Sequence, residues 1–282
     1  MNTIKMIGFD LDGTLLTTDK RLTDRTKKAL EAAAEKGVVI LPATGRPKSG
    51  IPKEIAELPY VEYAITSNGA RIVNLKTGET IFQKTLDREK AGKILDILGE
   101  YDTLREIYYD GIGYADEDKL QCVERYMANP AMRHYVSTTR VPVKCVVEKY
   151  ESESRNMDKV QGLFANPEER LEASARIREA VDAEVTAALN NNVEIMEAGV
   201  DKGNAIRFMT EKFGMSTDEV MTFGDGGNDV SMIEAAGVGV AVANGVEEIR
   251  QAADLVAESN DEDGVAKVIE TYILGRKEER KC

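Results

Sequence analysis

Apolar segments of this sequence repeatedly end at a short run of small polar residues and glycine. Three such segments early in the chain are followed by polar clusters, which are Asp10-Leu11-Asp12-Gly13-Thr14, Ala43-Thr44-Gly45-Arg46 and Thr66-Ser67-Asn68-Gly69-Ala70. Each segment resembles a buried strand, and helical patterns separate the segments. Strands that alternate with helices favour a parallel sheet whose ligand site lies at the carboxyl ends of the strands. We therefore expect the three clusters to share one rim.

Residues typical of helix and strand ends indicate where the first predicted elements begin and end. The predicted strands are Ile4 to Phe9, Val38 to Pro42 and Tyr63 to Ile65. Between the first two, Leu22 to Lys36 has the alanine-rich spacing of an amphipathic helix, with Thr23 as its N-cap and Gly37 just beyond its end. The pattern from Arg71 to Lys84 then predicts a β-hairpin.

The middle of the chain has a different pattern. Helices are expected at Arg88 to Tyr101, Glu117 to Met127 and Pro167 to Val181, and strands at Glu106 to Tyr109, Val143 to Glu148 and Lys159 to Ala165. The alternation of the first part returns afterwards, with predicted strands at Val193 to Met196 and Val220 to Phe223. The predicted fold class is α/β, a Rossmann-like doubly wound parallel-sheet core of residues 1–85 and 190–282 with an inserted α+β domain at 86–189.

Composition limits the partners that the protein can bind. The chain has 37 Lys and Arg against 50 Asp and Glu, and the net charge of −13 repels nucleic acid and acidic membranes. No apolar run reaches the ~18 residues of a membrane span, and no signal-peptide pattern precedes the first strand. Cys122, Cys145 and Cys282 lack metal or disulfide spacing, so we expect free thiols and a cytoplasmic protein. The basic residues of 276–281 are interpreted as a solvated tail.

The first polar cluster places two carboxylates at the end of a strand. Because side chains alternate on extended backbone, Asp10 and Asp12 would point the same way while Leu11 points back into the protein. That arrangement suits a divalent metal or a nucleophile. An ordinary polar turn is the alternative, since Asp and Gly are also favoured there. These residues alone do not decide between the two.

Several common motifs are incomplete in this chain. The run Gly45 to Gly50 has the spacing of a nucleotide-binding P-loop, but Ile51-Pro52 follows where Lys and Ser or Thr are needed. A dinucleotide fingerprint that begins at Gly237 has Val242 in place of its third glycine. His134 is the only histidine, so a Ser-His-Asp triad and a histidine-rich metal site lack support.

The strand ends together supply the groups of a phosphoryl-transfer site. A carboxylate can attack phosphorus and form an aspartyl-phosphate, which divides a slow hydrolysis into two easier steps. Bringing a phosphate dianion within about 4 Å of that carboxylate costs about 8 kcal/mol at an effective dielectric of 20, so a metal and a fixed lysine must offset the repulsion. Asp10 and Asp225 offer oxygen ligands suited to Mg²⁺. Thr44 could donate to a phosphoryl oxygen, and Lys202 could add a positive charge.

Each of these residues also has an ordinary structural explanation. Lys202 could be a solvated helix residue, Thr44-Gly45-Arg46 could be a turn, and Asp229 could cap the helix that follows it. Their joint occurrence, each at the end or start of an element, favours the functional interpretation.

The same motifs resemble those of the haloacid dehalogenase-like hydrolases. The matching stretches are Asp-Leu-Asp-Gly-Thr at 10–14, Ala-Thr-Gly-Arg at 43–46, Asp-Lys-Gly at 201–203 and Gly-Asp-Gly-Gly-Asn-Asp at 224–229. Ser-Asn-Gly-Ala at 67–70 and Ser-Asn-Asp-Glu-Asp-Gly-Val-Ala at 259–266 narrow the resemblance to Cof-type phosphatases. These carry a large α/β cap between the second and third motifs, which implies that residues 86–189 are a cap that sets substrate specificity.

The resemblance also implies roles for individual residues. Asp10 would be the nucleophile, and Asp12 would be the general acid/base whose backbone carbonyl binds Mg²⁺. Asp225 would bind the metal, and Asp229 would support the metal shell. The candidate phosphate- and substrate-binding residues are Leu11, Thr44, Gly45, Arg46, Asn68, Lys202 and Asn228. The roles of Arg46 and Asn68 are the least defined of this set.

The expected function is that of a Mg²⁺-dependent phosphatase, with a sugar phosphate as the first choice among small phosphorylated metabolites. A sugar phosphomutase is one alternative, because relatives with the same core return the phosphoryl group to a second hydroxyl. A phosphometabolite-binding protein with an idle catalytic set is another. Asp12 is expected to keep its side chain free for a proton, and Arg155 to lie in a loop that could reach a ligand. A monomer or small homo-oligomer is expected.

Overall fold

The computed structural model describes residues 3–275 of the 282-residue chain. Within that range the strands are β1 (Met6–Phe9), β2 (Val39–Pro42), β3 (Tyr63–Thr66), β4 (Arg71–Asn74), β5 (Thr80–Gln83), β6 (Thr103–Tyr109), β7 (Ile112–Asp116), β8 (Arg140–Val143), β9 (Lys159–Phe164), β10 (Ala183–Thr186), β11 (Asn192–Glu197), β12 (Val220–Gly224), β13 (Val238–Val242) and β14 (Leu255–Ala257).

The α-helices of the same range are α1 (Asp24–Glu35), α2 (Lys53–Ala56), α3 (Arg88–Gly99), α4 (Glu117–Gln121), α5 (Pro130–Thr139), α6 (Val146–Ser152), α7 (Glu169–Ala180), α8 (Lys202–Lys212), α9 (Val230–Ala235), α10 (Glu247–Ala252) and α11 (Gly264–Tyr272). Short 3₁₀ turns occupy Lys48–Gly50, Ser67–Gly69, Val123–Arg125, Thr217–Glu219, Gly227–Asp229 and Asn260–Glu262.

The core is a five-stranded parallel sheet in the order β14-β13-β12-β1-β2. From β1 the chain builds outward to β2 on one side, and the last three strands build outward on the other. This reversal creates a topological switch point between β1 and β12, where α/β proteins bind ligands. Phe9 is in register with Phe223, so Asp10 and Gly224-Asp225 emerge side by side at the carboxyl edge.

Helices cover both faces of this sheet. On one face α1 and α11 pack against Ile7 and Phe9 of β1, and on the other α8 and α9 pack against Met6. The predicted start of α1 is confirmed, because the Thr23 side chain accepts a hydrogen bond from the Thr26 N–H. Helices on both faces confirm the α/β fold class and place the carboxyl edge of the sheet in an open position.

The third predicted strand joins the core sheet only at its margin. Ala43 and Ile65 form one parallel bridge, and the Thr44 N–H donates to the Ile65 carbonyl at 2.9 Å. Otherwise β3 belongs to an antiparallel sheet with β4 and β5, which confirms the predicted hairpin. The single bridge still brings the Ser67–Gly69 turn to the same rim as the first two clusters.

The inserted region forms a second sheet of six strands in the order β10-β11-β9-β6-β7-β8. One face packs its apolar side chains, including Ile107, Val160 and Ile195, against α3 and α7. The opposite face presents polar side chains, and it lies over the carboxyl rim of the core because Lys159 of β9 donates to the Gly45 carbonyl at 2.8 Å. The inserted domain therefore covers the rim, and we call it the cap.

Two strand predictions need correction: Val193–Met196 is a strand, as predicted, but in the other sheet, and Val143–Glu148 is not one strand. Val193–Met196 does not rejoin the core, since β11 pairs with β9 and β10 in the cap sheet. A largely apolar strand can pair in the core sheet or in the cap sheet, and its local sequence does not determine which strand it pairs with. Val143–Glu148 is not one strand, because β8 ends at Val143 and α6 starts at Val146, whose N–H is bound by the Asp116 carboxylate at 2.6 Å. We propose that the cap extends to Glu197 rather than to residue 189.

Three further expectations concern compartment and exposed segments. Cys122 and Cys145 are free thiols in the structure, while Cys282 and the basic tail at 276–281 lie outside the described residues. His134 is an exposed residue of α5. Among residues 3–275, none of the helices combines the length and the apolar character that crossing a bilayer requires.

Candidate active site

Three carboxylates converge where β1 and β12 end. One oxygen from each of Asp10, Asp225 and Asp229 lies within 4.8 Å of the other two. Asp10 and Asp229 are buried, and Asp225 is partly exposed. Hard oxygen donors gathered at this distance fit Mg²⁺, which takes a few carboxylates and completes its shell with water and phosphate oxygens. The donor set therefore suits the metal that the sequence implied.

A fully buried lysine lies within this cluster. Lys202 has no exposed side-chain surface, and its Nζ is 2.6 Å from Asp10 Oδ1 and 2.5 Å from Asp229 Oδ1. It sits at the start of α8, which Asp201 caps by accepting from the Asn204 N–H. Burial opposes the charge on Lys202, but the two carboxylates raise its pKa above the usual range. Lys202 is therefore a fixed positive charge, not a solvated helix residue.

One lysine does not neutralise the three carboxylates of the cluster. Burial raises the pKa of Asp10 to about 7, with Lys202 opposing the rise and Asp229 and Asp12 adding to it. Burial and the charge of Asp10 also raise the pKa of Asp225 well above its ordinary value. The cluster is therefore short of positive charge, as expected of a site that receives a divalent cation.

This deficit predicts how stability depends on pH and Mg²⁺. Because the folded pKa of Asp10 is raised, its contribution to stability is complete below about pH 4 and is lost as the pH rises through about 7. Mg²⁺ competes with the bound protons, so it should stabilise the protein more at pH 8 than at pH 5; at pH 8 a hundredfold excess over its Kd would add about 2.7 kcal/mol in total. Thermal unfolding at both pH values tests this. An equal Mg²⁺ effect at the two pH values would contradict it, and Asp225→Asn should reduce the effect at pH 8.

The loop after β12 is organised by Asp229. Its Oδ2 accepts hydrogen bonds from the N–H groups of Asp225 and Gly226, each at 3.0 Å. The carboxylate thus binds backbone that precedes it and makes no cap bond to α9. The alternative that Asp229 merely caps the following helix is wrong. Gly13 completes this arrangement, because a Cβ at that position, with φ of +89°, would lie 2.5 Å from Asp225 Oδ2.

The second and third polar clusters meet beside this centre. Thr44 is buried, and its Oγ1 accepts from the Arg46 N–H at 3.1 Å. Asn68 has a left-handed φ of 55°, and its Oδ1 accepts from Asn228 Nδ2 at 3.1 Å. Asn68 Nδ2 donates in turn to Glu194 of the cap. A Cβ on Gly45 would lie only 2.9 Å from Asn68 Oδ1, so glycine permits this close approach.

The Asp12 side chain is not free. Arg46 donates to the Asp12 carboxylate through Nε at 2.6 Å and through Nη2 at 2.7 Å. Lys20 Nζ lies 2.8 Å from Asp12 Oδ1. Burial disfavours the charge on Asp12, yet these two cations hold its pKa well below the usual range. The expected free carboxyl is therefore corrected to a carboxylate bound by two cations. The sequence did not show this, because residues 12, 20 and 46 meet only in the fold.

Two other residues that were expected to approach a ligand do not have their side chains in the cavity above the carboxylates. The Leu11 side chain is fully buried in the main core cluster, as its alternation with Asp10 predicts, so only its backbone could contact a ligand. Arg155 is bound to Asp110 and Glu153 and is not among the described residues that line the central cavity. The expectation that Arg155 reaches toward a ligand is therefore not supported by its position.

A cavity of about 500 Å³ separates the carboxylate cluster from the cap. Its walls include Asp10, Asp12, Thr44, Arg46, Asp225, Asn228 and Asp229 from the core. Sequence reasoning missed Lys20 of the core and the facing residues of the cap, which are Tyr135, Arg140, Lys159, Gln161 and Glu194. The alternation of polar Lys159 and Gln161 with apolar neighbours along β9 was a usable signal, since it marks one polar face of a strand.

Fold and site together define an α/β protein with a capped, carboxylate-rich centre at its switch point. The chain belongs to the haloacid dehalogenase-like hydrolase family, whose family model matches residues 7–269.

Several relatives are similar over nearly the full chain. The curated "Putative phosphatase YxeH" of Bacillus subtilis is 31% identical over 280 residues, covering 96% of this chain and 99% of the relative. The 5-amino-6-(5-phospho-D-ribitylamino)uracil phosphatase YcsE of the same organism is 27% identical, covering 96% of each chain. Among solved structures, the HAD subclass IIB sugar phosphatase BT4131 matches with a TM-score of 0.83 at 25% identity, covering 95% of this chain and 98% of that one.

Proposed function

We propose that the protein is a Mg²⁺-dependent phosphatase that hydrolyses a small phosphorylated metabolite through an aspartyl-phosphate on Asp10. The observation that carries the proposal is the placement of Asp10, which lines the cavity while Lys202 holds its Oδ1 at 2.6 Å beside Asp225 and Asp229. A nucleophile needs this combination of access to substrate and a fixed neighbouring cation. The phosphatase names of the relatives agree with it.

In the first step a carboxylate oxygen of Asp10 attacks phosphorus, forming an acyl-phosphate bond as the bond to the leaving oxygen breaks. Lys202 and Thr44 stabilise the transferring group, and bound Mg²⁺ would supply the positive charge that the carboxylate cluster lacks. Asp12 gives its proton to the leaving oxygen. In the second step Asp12 takes a proton from water, which attacks phosphorus and breaks the acyl-phosphate bond to Asp10.

The resting state of Asp12 matches the second step directly. Its carboxylate, held ionised by Arg46 and Lys20, is the form that accepts a proton from water. For the first step it must carry a proton. A phosphate dianion that enters the cavity competes for Lys20, which weakens the hold of that cation on Asp12 and lets Asp12 take a proton from solvent while Arg46 stays in place.

The cap wall supports a sugar phosphate as substrate. Arg140 lies 3.1 Å from Glu106, and Lys159 lies 3.2 Å from Glu194, so each buried cation is matched by an anion. Gln161 and the amides of 190–192 add neutral donors and acceptors. A wall without net charge fits a leaving group rich in hydroxyls better than one with a second phosphate. YcsE and BT4131 are named for phosphorylated ribityl and sugar compounds, in agreement with this choice.

A screen of phosphorylated metabolites with Mg²⁺ tests the proposal. We expect release of free phosphate, with sugar phosphates the most active group. Isomerised sugar phosphate would instead identify a mutase, and binding without turnover across the panel would identify an idle binding protein.

Asp225→Ala tests the metal dependence within the same assay. We expect loss of activity by about 10³-fold and loss of the response to added Mg²⁺, because a carboxylate of the cluster is removed. Asp96→Ala, at an exposed position of α3, is a matched control and should behave as the wild type. Undiminished Mg²⁺-dependent turnover in Asp225→Ala would exclude Asp225 as a metal ligand.

We propose that the enzyme acts in the cytoplasm. Free Cys122 and Cys145 agree with a reducing cytoplasm. A monomer or small homo-oligomer is proposed, with a small phosphorylated molecule as its partner.

A further inference from the structure

Tyr135 of the cap makes a contact that the proposed chemistry does not yet use. It lies on α5 and lines the cavity, and the Arg46 guanidinium stacks on its ring at 4.0 Å from the centroid. Arg140 of the cap wall approaches the same ring at 5.0 Å. One cap side chain thus lies between a residue of the catalytic rim and a residue of the cap wall.

Each of the three guanidinium nitrogens of Arg46 donates a hydrogen bond. Nε and Nη2 donate to Asp12 at 2.6 and 2.7 Å, and Nη1 donates to the Gly50 carbonyl at 2.8 Å. Its hydrogen bonds lie in the guanidinium plane, so the flat face remains for the Tyr135 ring. Arg46 is only 7% exposed. The ring therefore completes the set of contacts that fixes the guanidinium plane, and the plane sets the direction of the Asp12 carboxylate.

Gly50 allows the ring to take this position. A Cβ on Gly50 would lie 2.4 Å from the Tyr135 hydroxyl oxygen and 3.2 Å from the ring carbons next to it. The hydroxyl itself is buried and makes no hydrogen bond with any of residues 3–275. The contact is therefore made by the aromatic ring and not by the polar group.

We propose that Tyr135 is a positioning residue that holds Arg46 against Asp12 and so orients the proton donor toward the leaving oxygen. This inference rests on the proposed phosphatase function. Through Tyr135 the cap contributes to leaving-group protonation, in addition to contacting the leaving group. Lys20, which also binds Asp12, comes from the core and does not provide this connection.

Leaving-group dependence separates this role from a structural one. An alkyl phosphate needs a proton as its alkoxide departs, whereas p-nitrophenyl phosphate releases a stable anion and needs little help. The ratio of kcat/KM for the two esters reports the first step, before the shared aspartyl-phosphate is hydrolysed. We expect Tyr135→Ala to lower this alkyl-to-aryl ratio by about tenfold. Tyr135→Phe, which keeps the ring, should leave the ratio unchanged. An unchanged ratio in Tyr135→Ala, or an equal fall in Tyr135→Phe, would overturn the proposal.

Two further measurements keep the proposal testable if Tyr135→Ala folds poorly or if the wild type is inactive toward both esters. Gly50→Ala should displace the ring without removing it and lower the same ratio, so the proposal does not depend on Tyr135→Ala folding well. The Arg46 Nε–H signal in a proton–nitrogen NMR spectrum, assigned with Arg46→Lys, should persist in Tyr135→Phe and broaden in Tyr135→Ala. A wild type that hydrolyses neither ester would refute the phosphatase function alone. An Arg46 signal unaffected by Tyr135→Ala would refute the positioning role whatever the activity.

Discussion

Asp10→Asn is expected to abolish phosphatase turnover, by about 10⁴-fold or more, while the protein stays folded. The amide has nearly the shape of the carboxylate but cannot form the acyl-phosphate bond. Asp10 and Asp229 both line the cavity and bind Lys202, but the second oxygen of Asp229 accepts from the Asp225 and Gly226 N–H groups, so that carboxylate is committed to the loop after β12. Steady-state hydrolysis of p-nitrophenyl phosphate with Mg²⁺, measured on a homogeneous sample, gives the comparison with the wild type.

The stability of the same variant provides the control. Burial raises the pKa of Asp10 to about 7, so the ionised side chain opposes folding at pH 8 when no metal is bound. The neutral amide removes that charge, and we expect Asp10→Asn to be at least as stable as the wild type in metal-free buffer at pH 8. A folded Asp10→Asn protein with retained turnover would eliminate Asp10 as the nucleophile.

Lys202→Met is expected to cost about 3–5 kcal/mol of unfolding free energy and to remove activity. The lysine has no exposed side-chain surface, and its loss would leave Asp10 and Asp229 as buried carboxylates without their shared cation. Methionine fills a similar volume, so lost packing adds little. Urea denaturation measures the cost. Mg²⁺ should restore part of the stability of Lys202→Met, because it brings positive charge back to the same oxygens.

A surface lysine gives the matched comparison. Lys28→Met changes an exposed position of α1 in the same chemical way and should alter stability by no more than about 0.5 kcal/mol. If Lys202→Met were as stable as Lys28→Met and still active, the lysine would be neither a structural counter-ion nor a phosphate ligand.

The sequence predicted the rim of the site well, because its signals are local. Asp10, Thr44, Asn68 and Asp225 each follow an apolar strand, and parallel strands align their carboxyl ends at one edge whatever their order. The N-cap Thr23 was likewise visible from its neighbours alone.

What the sequence did not reveal depends on contacts between distant segments. The residues of the strand at Val193–Met196 are compatible with either sheet. Only its pairing with β9 assigns it to the cap. The binding of Asp12 by Lys20 and Arg46 joins three loops that no periodicity connects. The polar cap wall combines β6, β8, β9 and β11, and its residues could be grouped only after the strand order was known.

The paired charges of the cap wall have a consequence for divergence among relatives. Arg140 balances Glu106 and Lys159 balances Glu194, and all four residues belong to the cap, apart from the nucleophile and the metal cluster. Exchange of one acidic partner for a neutral residue would give the wall a net positive charge and favour a doubly phosphorylated compound. Exchange of one basic partner would favour an amine. New substrate preferences could thus evolve by single substitutions that leave the catalytic rim unchanged.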